Sequence, residues 1–147
     1  NKVILNIYGD GDQNYREDLK LLKKNNNFIL KFYQPIEDIT AVLNNTDIII
    51  LPSIEFESFG MVLIEAMRQK VPIICSNSGG ITEVVKNNVN GLIFKSNDIK
   101  DLKKKLEILI GSKSLRVKLG NKGQKIFVNK FTNKRFIKEY EKLIYGK

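Results

Sequence analysis

Short apolar runs alternate with amphipathic stretches over residues 1–95, and amphipathic stretches alone fill 96–147. Val3–Tyr8 is apolar and β-branched, which predicts a buried strand, and Gly9-Asp10-Gly11 breaks it. Leu19 and Leu22 mark the inward face of a helix over 15–24, followed by a loop at Asn25-Asn26-Asn27. Phe28–Tyr33 alternates apolar and polar and predicts a second strand. Ile36, Ile39 and Leu43 stand at helical spacing over 36–43. Residues 47–51 predict a strand that Pro52 ends, and 60–69 a helix. A strand over 72–76 follows, since Pro is tolerated as a first strand residue. One or two helical turns over 81–86 and a last strand, Gly91–Phe94, complete this part. From Asp98 onward the pattern is helical. Ile99, Leu102, Leu106 and Leu109 form one stripe, Gly111 is expected to break that helix, and two more follow over 114–128 and Asn133–Tyr145.

Strands alternating with helices imply an α/β fold: a Rossmann-like parallel sheet with helices on both faces. The expected organisation is a single domain over 1–147, with an alternating core at 1–95 and a helical tail at 96–147. Ligands of such sheets bind outside the carboxyl ends of the strands. The loops after Tyr8, Tyr33, Leu51 and Cys75 are therefore expected to line a site.

Composition narrows the chemistry. The chain has no histidine, which excludes a Ser–His–Asp triad or a histidine-based zinc site within it. Cys75 is the single cysteine, so no disulfide can form inside the chain, and it reads as a buried, unreactive strand residue. No run of eighteen apolar residues suggests a membrane span, and residues 1–10 show no leader pattern, so a cytoplasmic location is expected. The net charge of +9 is uneven: residues 96–147 hold 15 Lys or Arg against 5 Asp or Glu. A solvated lysine-rich helical face explains this surplus, and attraction to an anionic membrane surface, at the inner face of the membrane, is the sharper alternative. Nucleic acid is disfavoured, because the basic stretch lacks aromatic-studded strands.

The stretch from Pro52 to Met67 carries the candidate chemistry. Pro52 stops a strand, and a helix begins near Gly60, where free N–H groups and the positive dipole end can hold an anion. Gly60 lets a diphosphate approach the backbone closely. Glu57 precedes that helix and Glu65 lies within it, and each carboxylate can accept two sugar hydroxyls. Solvated surface carboxylates are the plain alternative for both. Glu55 reads as a loop carboxylate, Glu83 as a helix-start carboxylate, and Gly79-Gly80 as a turn or a ligand loop.

Glu57 and Glu65 are separated by seven residues. This spacing, with Pro52-Ser53, Phe59-Gly60, Glu65-Ala66-Met67, Val71-Pro72-Ile73, Ser78-Gly79-Gly80, Glu83-Val84-Val85 and Asn90-Gly91-Leu92 in order, resembles the retaining glycosyltransferases of the GT-B fold, family 4 type (glycosyl transferases group 1). The Gly9-Asp10-Gly11 turn and the closing helices fit as well. The resemblance implies the C-terminal, donor-binding domain of an enzyme that transfers a hexose from a nucleoside diphosphate sugar to a glycan or lipid-linked acceptor, as in polysaccharide biosynthesis. It implies that Glu57 binds the donor sugar hydroxyls as the catalytic carboxylate. Glu65 would hold the ribose. Ser58, Phe59, Gly60 and Met61 would face the diphosphate or sugar, Gln34, Pro35 and Ile36 the base, and Gly9 and Asp10 the cleft. No metal and no cofactor beyond the donor is implied.

The family's pattern also includes an earlier strand and helix with an Arg and a Lys for the diphosphate, and an N-terminal acceptor-binding domain. Neither has a counterpart in this sequence, so the chain alone is expected to be an inactive part of the enzyme. A rearranged sheet, a partner chain in the gap or lower stability are the expected consequences. Ser58 and Lys70 stand where the family often has Gly, and Lys70 is expected to strain a helix end. Outside this reading stand a non-catalytic nucleotide-sugar-binding module, a GT-B epimerase disfavoured by the lack of histidine, and a polyanion-binding protein.

Overall fold

The computed structural model of the protein describes residues 3–23 and 28–146. The predicted loop at 25–27, the helix end at Lys24 and the Leu22 side chain lie outside the described residues. The chain divides into two compact units, Asn1–Asp38 and Ile39–Lys147.

The first unit contains β1 (Val3–Tyr8), α1 (Gln13–Lys23) and β2 (Phe28–Tyr33). The two strands pair in parallel, from Val3 opposite Phe28 to Tyr8 opposite Tyr33. The helix begins two residues earlier than its apolar spacing predicts. Asp12 is the cause: its carboxylate accepts the N–H groups of Asn14 (2.7 Å) and Tyr15 (3.1 Å), as an N-cap does. The predicted burial of β1 is not found. Val3, Ile4 and Leu5 are exposed, with Ile4 at 52%.

The second unit holds α2 (Thr40–Leu43), β3 (Ile49–Leu51), α3 (Met61–Arg68), β4 (Ile73–Ser76), α4 (Ile81–Val84), β5 (Gly91–Phe94), α5 (Ile99–Gly111), α6 (Lys113–Lys130) and α7 (Asn133–Tyr145). Its sheet is parallel in the order β3-β4-β5. Side chains of β4 alternate between two cores. Ile73 and Cys75 join Leu63, Ala66, Met67 and Val84, while Ile74 joins Phe94, Leu109 and Leu119. Helices therefore cover both faces, as the pattern predicts.

Several boundaries move for local reasons. The helix predicted over 36–43 shrinks to α2, and Ile36 stays exposed. Gly111 ends α5 from inside it, and the break belongs to Ser112, whose extended backbone carries an Oγ that accepts Leu115 N–H at 3.2 Å and caps α6. Ile99, expected in the core stripe, sits in the first turn of α5 at 82% exposure. No described helix is long and apolar enough to cross a membrane.

The end of α3 is tied down on both sides. Val71 N–H bonds Ala66 O (2.9 Å) and Lys70 N–H bonds Met67 O (3.1 Å), the paired bonds of a Schellman motif. Lys70 takes the left-handed position, at φ 61°, where glycine is the preferred residue. Across from it lies Gly120 of α6, where an added Cβ would stand 1.9 Å from the Lys70 carbonyl oxygen.

Candidate functional site

The loop between β3 and α3 starts at Pro52, which cannot extend the strand ladder. It runs exposed through Ile54 and Phe56 (80%) to the half-buried Glu57. Gly60 is the N-cap of α3, one residue before the helix proper, and adopts φ 71°, ψ 58°. A left-handed cap of this kind suits glycine, and it turns the chain sharply from loop to helix. Having no side chain, Gly60 leaves the helix start without a side-chain cap.

Glu57 turns toward that start. Its Oε1 accepts the Gly60 N–H at 3.3 Å, and its Oε2 accepts Ser53 Oγ–H at 3.4 Å. Both bonds are long, so a better donor can displace either. Ser58 and Phe59 lie in the loop rather than at the first helical turn, and both are exposed. The Phe59 ring meets Phe131 edge to face, with centroids 6.2 Å apart. Met61 is exposed at the first position of α3. Glu65 occupies the exposed side of α3, while Leu63, Ile64, Ala66 and Met67 are buried. Among the described residues the Glu65 carboxylate has no side-chain partner.

Three neighbours hold this loop by its backbone. Gly80 N–H donates to Glu57 O at 2.8 Å, Ser78 Oγ–H donates to Glu55 O, and Ser96 Oγ–H donates to Ile54 O at 3.3 Å. Asn77 Oδ1 in turn fixes Ser96 through its N–H at 2.7 Å. Ser53, Ser78 and Ser96 are absent from the predicted site. Ser78 stands in a motif that sequence reasoning singled out, whereas Ser96 lies 42 residues from its partner and leaves no local signal.

The other predicted residues belong to the first unit. Gly9 N–H bonds Tyr33 O at 3.2 Å, and Arg16 reaches back to Gly9 O at 2.9 Å and to Asp10 at 3.7 Å. The Tyr8 and Tyr33 rings stack at the ends of their strands, with centroids 4.7 Å apart. Gln34, Pro35 and Ile36 follow as an exposed segment. Arg16 was not anticipated, and it is what fixes the Gly9-Asp10 turn.

Cys75 is fully buried in β4. Burial pushes its thiol up from 9.0 to about 12, so it stays neutral and unreactive near neutral pH. Its contribution to stability is present below pH 9.0 and is lost as pH rises through about 12, because the unfolded thiol ionises first.

Glu57 beside the open start of α3, at the carboxyl end of a parallel sheet, lies where ligands of open α/β sheets bind. The sequence profile of the glycosyl transferases group 1 matches residues 1–126, and the chain belongs to that family. It is 31% identical over 156 aligned positions to an uncharacterised glycosyltransferase, MJ1178, of Methanocaldococcus jannaschii, an alignment covering 96% of this chain and 44% of that protein. It is 33% identical to the capsular polysaccharide biosynthesis glycosyltransferase CapM of Staphylococcus aureus, over 86% of this chain and 32% of CapM. The chain thus spans less than half the length of these relatives. The Anabaena protein HepE, crystallised in complex with UDP, superposes with a TM-score of 0.84 at 21% identity, over 99% of this chain and 41% of HepE, a likeness of fold.

Proposed function

We propose that this chain is the donor-binding domain of a retaining glycosyltransferase that takes a hexose from a nucleoside diphosphate sugar to a glycan or lipid-linked acceptor. The observation that carries the reading is the placement of Glu57 at the uncapped start of α3, fixed by the left-handed turn at Gly60. The first N–H groups of α3 and its positive dipole end suit a diphosphate. Glu57 occupies the neighbouring Gly60 N–H, so a diphosphate and this carboxylate would repel across one helix end. Hydroxyls of the donor sugar relieve that repulsion by donating to Glu57. Glu65, exposed one turn further on, is left for the ribose. The reading calls for no metal and no cofactor, because the leaving diphosphate itself takes the proton of the incoming hydroxyl.

The relatives support this reading by family, and the length of the chain against theirs supports a donor half within a larger enzyme. Calorimetric titration with a panel of nucleoside diphosphates and their sugars, headed by UDP and UDP-glucose, tests it. Glu65→Ala should abolish binding of the bare diphosphate, while Glu57→Ala should weaken the sugar nucleotide more than the diphosphate. Equal losses in both variants, for both ligands, would overturn the assigned roles. A non-catalytic binding module shares every step up to the donor, and the absence of transfer by the whole protein would favour it.

A further inference from the structure

We propose that Ser78-Gly79-Gly80 is the positioning element of Glu57, a turn whose two glycines leave room for the loop carrying the carboxylate to be clamped against it. The inference rests on the reading of Glu57 as the sugar-binding carboxylate. A turn alone does not explain the glycine pair. Gly79 has φ 52°, which favours glycine by conformation. Gly80 has φ −71° and ψ −7°, an ordinary right-handed conformation that any residue adopts. What requires glycine at position 80 is space. An added Cβ there would stand 2.1 Å from Ser58 O, and one at Gly79 would stand 2.2 Å from Glu57 O. Both contacts are with backbone, which cannot move aside as the end of a flexible side chain can.

The same turn supplies directed bonds. Gly80 N–H holds Glu57 O at 2.8 Å, and Ser78 Oγ–H holds Glu55 O. The carbonyls of Glu55 and Glu57, two residues apart in a helix-free loop, are thereby held by one turn, while the Glu57 carboxylate accepts Gly60 N–H. A carboxylate that selects hydroxyl geometry has to be held to within about 0.5 Å, and a loop without such support does not provide that. Ser78, Gly79 and Gly80 act through Glu57 and are positioning residues.

The test compares the affinity ratio of UDP-glucose to UDP in the full chain, its Glu57→Gln variant and its Gly80→Ala variant. Gly80→Ala should lower that ratio about tenfold, in the same direction as Glu57→Gln, and the double variant should lose little more than either single one. A Gly80→Ala chain that weakens both ligands equally, or neither, would show a purely structural glycine and overturn the proposal. Should Gly80→Ala fail to fold, Ser78→Ala removes one tether without adding atoms, and an unchanged ratio there overturns the proposal instead. Amide exchange at Gly60 provides an arm free of ligand. It should accelerate in Gly80→Ala, and unchanged exchange counts against positioning whatever the titrations give. If Glu57→Gln leaves the ratio intact while Gly60 exchange responds to Gly80→Ala, the clamp stands and the role of Glu57 in sugar binding falls.

Discussion

Ile4-Leu5 in β1 and Ile73-Ile74 in β4 are nearly the same text, yet Ile4 is 52% exposed and Ile73 and Ile74 are 0% exposed. The difference lies in what surrounds each strand. β4 sits between β3 and β5 and has a helix-covered core on each face. Among the described residues β1 pairs with β2 alone, and α1 packs along β2, where Arg16 lies over the Phe32 ring at 5.9 Å. A β-branched apolar run marks a strand in either setting, because the preference is for a pleated backbone. Whether that run becomes core depends on elements contributed from elsewhere in the chain.

The contrast makes a quantitative claim. Ile74→Ala should cost about 4 kcal/mol of unfolding free energy, because the methyls leave a closed space. Ile4→Ala should cost about 1 kcal/mol, since half of its surface already meets solvent. Urea unfolding of the two variants checks this, and equal losses would mean that β1 is covered in solution. Glycine substitutions sharpen the same contrast at smaller scale. Gly120→Ala drives a Cβ to 1.9 Å from the Lys70 carbonyl, between α3 and α6, and should cost about 3 kcal/mol. Gly123→Ala meets the flexible Met67 Cγ at 3.3 Å and should cost about 1 kcal/mol. Gly11→Ala in the first unit meets nothing within 4 Å, and its effect should stay within about 0.5 kcal/mol.

Those glycines also show how far sequence carries. Alternation of strand and helix, the Pro52 stop and the seven-residue spacing of Glu57 and Glu65 are local signals, and they were legible with the family attached. Gly120 and Gly123 were not, because each serves a surface some fifty residues away and sits in a helix that glycine alone would only weaken. The tethers on the Glu57 loop were half legible: Ser78-Gly79-Gly80 stands out as punctuation, but only the distances separate a turn from a clamp. Charge shows the same limit. The basic surplus of residues 96–147 is plain from counting, but its placement is not. Successive residues of a helix turn by about 100°. On α7 this puts Glu139 and Glu141 on either flank of the exposed stripe of Phe136, Ile137, Tyr140, Leu143 and Ile144, with Lys138 and Lys142 behind it. A helix that lies in an anionic membrane surface favours cations beside its apolar stripe, so the placement of the charges matters there and not their count alone.

One substitution is expected to add stability. Lys70 closes the Schellman motif of α3 in a left-handed conformation, φ 61°, that brings its Cβ toward the following carbonyl oxygen. The strain is about 1 kcal/mol or a little more, and it persists because Val71 is buried and its N–H is bonded to Ala66 O. Lys70→Gly removes the strain but frees the unfolded chain, which takes back part of the gain. The net should be about 0.5–1 kcal/mol of added stability, seen as a rise in Tm. Asn97, at φ 60°, is the internal control: asparagine tolerates this region, so Asn97→Gly should change stability by only a few tenths of a kcal/mol. A loss of stability in Lys70→Gly would mean that the lysine stem contributes packing at this helix end. Its carbonyl would still be the surface against which Gly120 packs, and the ranking of the two glycine variants in α6 would be unchanged.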